Sequence, residues 1–159
     1  MALRMKEVIG MVLRKRLRKL VEAEEILILP GAYDALSAKL VQAAGFRAVY
    51  LTGYGQSASK LGEPDVGLMC MSEMAERTRD IAMAVDIPVA CDADTGFGSP
   101  VNVIRTVREY ERAGAAAIQL EDQTMPKNAA TCWAGRWCLQ RRWRRRSARQ
   151  RQPEGTRTS

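Results

Sequence analysis

No stretch of this 159-residue chain approaches the roughly eighteen consecutive apolar residues that a membrane-spanning helix needs, so no segment is read as crossing a bilayer. The four cysteines are spaced for neither a disulfide frame nor a zinc site. Cys70 and Cys91 lie in apolar surroundings, and Cys132 and Cys138 are separated by five residues, so reduced thiols and a cytoplasmic setting are expected. Residues 1–21 are rich in Arg and Lys but lack the apolar run and small-residue cleavage site of a secretory signal. Glu22, Glu24 and Glu25 follow at once, which argues against a mitochondrial presequence. No Gly-x-Gly-x-x-Gly follows the first apolar run, which weakens a dinucleotide-binding reading. Histidine is absent altogether.

What is present is unevenly distributed. Residues 1–126 carry 15 Lys/Arg against 17 Asp/Glu, a balance of −2, whereas residues 127–159 carry 10 against 1, a balance of +9. All three tryptophans, Trp133, Trp137 and Trp143, fall in that last segment. The chain therefore divides into residues 1–127, which should fold, and a basic, Arg/Trp-rich tail over residues 128–159, expected to be disordered.

Apolar runs alternate with helical patterns along the first part. Val8, Ile9, Val12, Leu13, Leu17, Leu20 and Val21 recur at helical spacing among Arg and Lys and predict an amphipathic first helix, its basic face solvated. Ile26-Leu27-Ile28-Leu29 reads as a strand closed by Pro30-Gly31, and Asp34 caps a helix that runs to about Ala44 and stops at Gly45. Ala48-Val49-Tyr50-Leu51 is a second strand, followed by a Gly-containing loop. Ser72 is the expected cap of a helix reaching about Ala84. Ile87-Pro88-Val89-Ala90 is a third strand, Ser99 or Pro100 opens a helix ending near Ala113-Gly114, and Ala116 to Leu120 is a fourth strand. Strand and helix in strict alternation predict a parallel sheet with helical crossovers, covered on both faces. Four strands in about 120 residues make half of an eight-stranded barrel at ordinary spacing. The expected fold is thus α/β, the N-terminal half of a (β/α)8 barrel, with a doubly wound open sheet as the rival.

In a parallel barrel the loops after the strand C-termini build the site. Asp92 and Asp94 follow the third strand, and Glu121 follows the fourth. Carboxylates at successive strand ends converge, and hard oxygens gathered in that way suit a Mg²⁺ ion that keeps several waters. Asp94 is expected as the close ligand, with Asp92 and Glu121 acting through water. Taken alone, Asp-x-Asp would serve as well to hold a turn. Thr52-Gly53-Tyr54-Gly55 can present backbone N–H groups to a substrate carboxylate, because glycine permits close approach.

Five segments carry a specific likeness. Pro30-Gly31-Ala32-Tyr33-Asp34-Ala35-Leu36-Ser37-Ala38, Tyr50-Leu51-Thr52-Gly53-Tyr54-Gly55, Leu61-Gly62-x-Pro64-Asp65-Val66-Gly67, Asp92-Ala93-Asp94-Thr95-Gly96-Phe97-Gly98 and Ile118-Gln119-Leu120-Glu121-Asp122-Gln123 together resemble the isocitrate lyase/phosphoenolpyruvate mutase superfamily. Thr-Gly-Tyr-Gly is similar to the methylisocitrate and dimethylmalate lyase branch. The resemblance implies a barrel enzyme that breaks or forms a C–C or P–C bond beside a carbonyl, with Mg²⁺ as cofactor, a small carboxylic acid as substrate and a homo-oligomer in the intact family. By the same resemblance Asp92, Asp94 and Glu121 hold the metal, Thr52, Gly53 and Tyr54 hold the substrate carboxylate, Tyr50 and Asp65 line the pocket, and Lys127 together with Asp65 belongs to the catalytic set. Oxaloacetate decarboxylase and phosphonomutase are rivals within the family.

The likeness fails after Lys127. Lyases of this kind continue Lys-x-Cys-Gly-His, the cysteine being the proton donor, whereas here the chain reads Lys127-Asn128-Ala129-Ala130-Thr131-Cys132-Trp133. The codons offer a reason. Read from the third base of the Asn128 codon, the next codons permit TGC, GGC, CAC and ATG, which are Cys, Gly, His and Met. Cys132–Trp133 then forces Leu, Trp133–Ala134 forces Gly, and Trp137–Cys138 forces Val. Through Arg142 the shifted frame permits Cys-Gly-His-Met-Leu-Gly-Gly-Lys-Val-Val-Ser-Thr-Glu-Glu-Met, which resembles the family's own continuation. Loss of one base after the Lys127 codon would produce the tail, so residues 128–159 are expected to be out of frame. Arg141-Arg142-Trp143-Arg144-Arg145-Arg146 would otherwise suggest phosphate contact with base stacking, and nucleic-acid binding through it is the reading from another class.

Overall fold

The computed structural model describes residues 2–123, with side chains from Val8 onward. Lys127 and the tail lie outside the described residues. The elements follow in the order α1 (Ala2–Val21), β1 (Gly31–Ala32), α2 (Ala35–Ala43), β2 (Val49–Leu51), α3 (Gly53–Gln56), α4 (Met71–Ala84), β3 (Val89–Asp92), α5 (Pro100–Ala113) and β4 (Ala117–Gln119), with a π turn at Ser57–Leu61 after α3. The four strands form one parallel sheet in the order β1-β2-β3-β4. That is the expected half-barrel order, with β1 and β4 as the outer strands.

Local chemistry explains the helix ends. The Asp34 carboxylate accepts from Ser37 N at 2.7 Å, and Ser37 Oγ accepts from Asp34 N at 3.1 Å, a reciprocal cap that opens α2. Ser99 N donates to Asn102 Oδ1 at 3.0 Å, and Pro100 takes the first helical position of α5, where its missing N–H costs nothing. Gly114 closes α5 at φ 104, a left-handed conformation that a residue with a Cβ resists. The cap of α4 is not Ser72: the helix begins at Met71 because Cys70 N donates to the Glu73 carboxylate at 2.9 Å, one turn ahead.

Strand phases also shift. Ile26 and Ile28 are 85% and 63% exposed and pair with nothing in the sheet; pairing starts later, where Tyr50 N donates to the Pro30 carbonyl at 2.9 Å. The third strand sits two residues downstream of expectation, so that Asp92 is itself in β3. The stretch after β2 is the short helix α3 and the π turn rather than an irregular loop.

The core lies between the sheet and its helices. Val49, Leu51, Val89 and Cys91 point from β2 and β3 into a cluster with Met74 and Ile81 of α4 and Tyr110 of α5, all buried. Each such large side chain contributes about 1.5–3 kcal/mol by leaving water. Of the α1 side chains described, from Val8 onward, Leu17 is the one buried in the interior, and Val8, Ile9 and Val12 remain more than half exposed at 58%, 54% and 58%. Its polar ties are Arg16 Nη1 donating to the Asp86 carbonyl at 3.3 Å and an Arg14–Glu111 pair at 3.8 Å. Among the described residues no helix is long and apolar enough to cross a membrane.

Candidate active site

Parallel strands point their C-terminal ends the same way, so the residues following β2 and β3 are brought to one rim. Asp92, buried at the end of β3, is the hub there. Its Oδ1 accepts from Asp94 N at 2.8 Å and its Oδ2 from Gly53 N at 3.2 Å, which ties the β3 end to the first residue of α3. The turn-holding role that Asp-x-Asp can play is therefore real, and Asp92 spans two loops as well. A Cβ on Gly53 would fall inside the van der Waals envelope of Asp92 Oδ2, so only glycine fits this approach.

The loop carrying Asp94 is strained and pinned. Asp94 and Phe97 hold φ 51 and 59, and Gly96 and Gly98 hold φ 90 and 141. From one face of α5, Tyr110 Oη donates to the Asp92 carbonyl at 3.0 Å and Thr106 Oγ1 donates to the Gly96 carbonyl at 2.9 Å, both hydroxyls buried. Sequence reading did not single out these two side chains, although their i, i+4 spacing on an amphipathic helix was visible.

A small cleft of about 20 Å³ opens at this rim, lined by Gly53, Ser57, Asp65, Asp92, Asp94 and Phe97 among others. It has room for about one water-sized occupant. Three of the carboxylates expected at the site thus share one wall. Glu121 does not join them. Among the described residues no three His, Cys, Asp or Glu side chains stand close enough to hold one ion directly, and the expected arrangement, with Asp92 and Glu121 acting through water, does not call for three direct ligands. The backbone of Glu121 is in step, its N–H donating to the Asp94 carbonyl at 2.8 Å, and its carboxylate accepts from the Gln123 amide two residues on. Two carboxylates on one wall of a cleft that opens at the rim fit Mg²⁺, which takes one or two carboxylates and keeps several waters.

The remaining candidates lie in β2 and at the start of α3. Tyr50 is half-buried in β2 and its hydroxyl donates to Gln119 Oε1 at 3.1 Å. Burial, then the charges of Asp92 and Glu121, push its phenol well above the ordinary range, so it stays protonated and acts as a donor. Thr52 caps α3, its Oγ1 accepting from Gly55 N at 3.3 Å, and Tyr54 is 48% exposed. Tyr50, Thr52 and Tyr54 are all outside the cleft lining.

A sequence profile of the phosphoenolpyruvate phosphomutase family matches residues 17–151. The chain belongs to this family. It is 59% identical over 112 residues to 2,3-dimethylmalate lyase of Eubacterium barkeri, a match covering 70% of this chain and 39% of that protein. It is 53% identical over 111 residues to 2-methylisocitrate lyase of Aeropyrum pernix, covering 70% and 36%. Among solved structures it resembles phosphonopyruvate hydrolase in complex with oxalate and Mg²⁺, with a TM-score of 0.69 and 41% identity over 72% of this chain and 40% of that one. The relatives it matches are named as lyases, and family membership with the shared fold bears out the parallel half-barrel reading. The chain spans well under half the length of the relatives it matches.

Proposed function

We propose that the chain carries the metal and carboxylate half of a Mg²⁺-dependent carbon–carbon lyase site, acting on a 2-hydroxy di- or tricarboxylate of the dimethylmalate or methylisocitrate type and releasing pyruvate. The observation that carries this reading is the shared cleft of Gly53, Asp65, Asp92 and Asp94 at the ends of β2 and β3. Identity of 59% to a dimethylmalate lyase supports the substrate class.

Asp92 and Asp94 would hold the ion. When bound, Mg²⁺ supplies positive charge that stabilises the negative charge developing beside the breaking bond. The chain's own work is to move protons and fix the substrate. Cleavage takes a proton from the 2-hydroxyl, turns the C–O bond into a carbonyl and leaves the C–C electron pair on carbon, where a proton must be delivered. Asp65, the third carboxylate of the cleft wall, is assigned the hydroxyl proton. The Thr52-Gly53-Tyr54 backbone holds a substrate carboxylate, and the neutral Tyr50 hydroxyl donates from the side. Lys127 belongs to this set by its position in the family motif. Delivery of the last proton falls to a cysteine in the family motif, and Cys132 lacks the Gly-His that accompanies it.

The chain as written should therefore bind ligand and turn over poorly. Mg²⁺-dependent binding of oxalate, followed by calorimetry with EDTA as control, is expected. Pyruvate release from 2,3-dimethylmalate and 2-methylisocitrate should stay near background. No binding of oxalate would overturn the lyase reading, and robust turnover would overturn the missing proton donor. Oxaloacetate and phosphonopyruvate in the same assay separate the decarboxylase and phosphonomutase alternatives.

The tail over residues 128–159 is proposed to be out of frame, on the codon argument above. The family match running on to residue 151 weighs against this. Nucleotide sequencing around codon 128 decides an error of reading, and comparison of related genes decides a fixed shift.

A further inference from the structure

Behind the carboxylate-binding turn stands a second set of polar contacts that the lyase reading does not use. Gln56, the last residue of α3, is fully buried. Its Nε2 donates to the Tyr33 carbonyl at 2.9 Å, and its Oε1 accepts from Arg77 Nε of α4 at 2.7 Å. Arg77 Nη2 donates to the same Tyr33 carbonyl at 2.9 Å. The three residues close a ring, so each contact restrains the other two. The ring joins the loop after β1, the turn after β2 and the middle of α4. Gln56 lies between Gly53 and Ser57, the two residues of this segment that line the cleft. A Cβ on Gly55 would meet Thr52 Cγ2 and, at 3.0 Å, Tyr33 Cβ, so the position of Tyr33 also sets how closely the turn is wound.

We infer that Arg77, acting through Gln56 and the Tyr33 carbonyl, is a positioning residue for the substrate-carboxylate turn of Thr52 to Gly55. It touches no substrate. It fixes the wall that faces Asp92 and Asp94, and this inference rests on the cleft reading given above. A carboxylate held between a metal and backbone N–H groups needs both walls at a set separation, and small displacements are costly to such geometry. Arginine is required because the two contacts use Nε and Nη2 of one rigid fork, which the single ammonium of lysine cannot reproduce.

Full-length Arg77→Lys, Gln56→Leu and the double variant test this, with Mg²⁺ and oxalate as probes. Each single variant should weaken Mg²⁺-dependent oxalate binding about tenfold, the loss expected for a charge-assisted hydrogen bond. The affinity for Mg²⁺ alone, set by Asp92 and Asp94, should change less than twofold. The double variant should lose little more than either single one, since the ring is already open. Oxalate and Mg²⁺ affinities falling together would mean general loosening and would overturn the inference, as would additive losses. A second readout keeps the inference separate from the lyase reading. In the ligand-free protein, amide hydrogen exchange at Gly55, Gln56 and Ser57 should accelerate at least tenfold in Arg77→Lys, while amides of β3 stay as in the parent. If the parent fails to bind oxalate, the lyase reading falls and the exchange measurement alone decides the positioning role; unchanged exchange at those amides overturns it.

Discussion

Removing the Tyr110 hydroxyl isolates what α5 does for the loop that carries Asp94. Tyr110→Phe keeps the ring, which is fully buried and lies 6.4 Å from the Phe97 ring centre, and deletes one donor to the Asp92 carbonyl. No cavity larger than an oxygen atom results, so the packing loss is small. The carbonyl it leaves is buried behind the sheet, and a buried acceptor that loses its donor costs about 1–3 kcal/mol. Thr106→Val removes the second donor, to the Gly96 carbonyl, at nearly constant shape and at a similar cost. Both hydroxyls end on one loop four residues apart, so the pair should not be additive. Urea unfolding followed by far-UV circular dichroism should show the midpoint falling in each variant with the slope unchanged, and thermal midpoints should drop by roughly 2–8 °C per kcal/mol. Both variants unfolding within about 0.5 kcal/mol of the parent would refute the view that these hydroxyls pin the strained loop, since that is the scatter of ordinary surface changes.

Other substitutions probe the rim and the caps. Gly53→Ala forces a methyl into the Asp92 carboxylate, so Mg²⁺ affinity measured by calorimetry should fall at least tenfold, with the fold retained by circular dichroism. Asp34→Ala removes the α2 cap and should cost about 1 kcal/mol at neutral pH in urea unfolding. Hydrogen bonding from Ser37 N holds the Asp34 carboxyl below its ordinary value of 3.8, so its share of stability is present above that value and is lost as pH falls through the lower folded one. Burial pushes the Cys91 thiol up to about 12, so a thiol reagent at pH 8 should label exposed Cys70 and spare Cys91 until the protein unfolds. The same shift favours the folded thiol at pH values below the ordinary thiol range, a contribution that declines as pH rises toward about 12.

The fold was largely legible because its punctuation is chemical. Asp34 with Ser37, Ser99 with Pro100, and Gly45 and Gly114 at φ 86 and 104 mark helix ends by hydrogen bonds and left-handed backbone, and sequence shows such residues directly. Strand phase was less legible. A buried parallel strand is a continuous apolar run without alternation, so Ile87-Pro88-Val89-Ala90 and Val89–Asp92 look equally good until the neighbouring strands fix the register. Thiols are poor caps, so Cys70 carries no clear start signal in the sequence; the decisive contact is the return of the Glu73 side chain to its N–H. The ring of Tyr33, Gln56 and Arg77 was invisible for a different reason: its members sit 23, 21 and 44 residues apart and meet only once the sheet and α4 are in place.

The three carboxylates proposed to hold the metal show where strand-end reasoning reaches its limit. Parallel order guarantees that the backbones of β3 and β4 run together past the sheet, and they do: Ala93 N donates to the Gln119 carbonyl at 3.0 Å and Glu121 N to the Asp94 carbonyl at 2.8 Å. It does not guarantee that the side chains converge. Asp92 is turned inward by two backbone donors, Asp94 N and Gly53 N, which come from different loops and leave its carboxylate one orientation. Glu121 has a longer stem and lies beyond the end of the outer strand β4, and the amide of Gln123 offers its carboxylate a local partner. A carboxylate fixed by backbone donors is preorganised for an ion, whereas one held by a neighbouring side chain must exchange that contact to reach it. On the proposed reading Mg²⁺ would keep several waters, Asp92 and Asp94 would seat the ion, and the contribution of Glu121 through water would be the smaller one. Asp92→Ala should accordingly abolish Mg²⁺ binding, while Glu121→Ala should weaken it by no more than about tenfold; equal loss from both would restore the three-carboxylate arrangement.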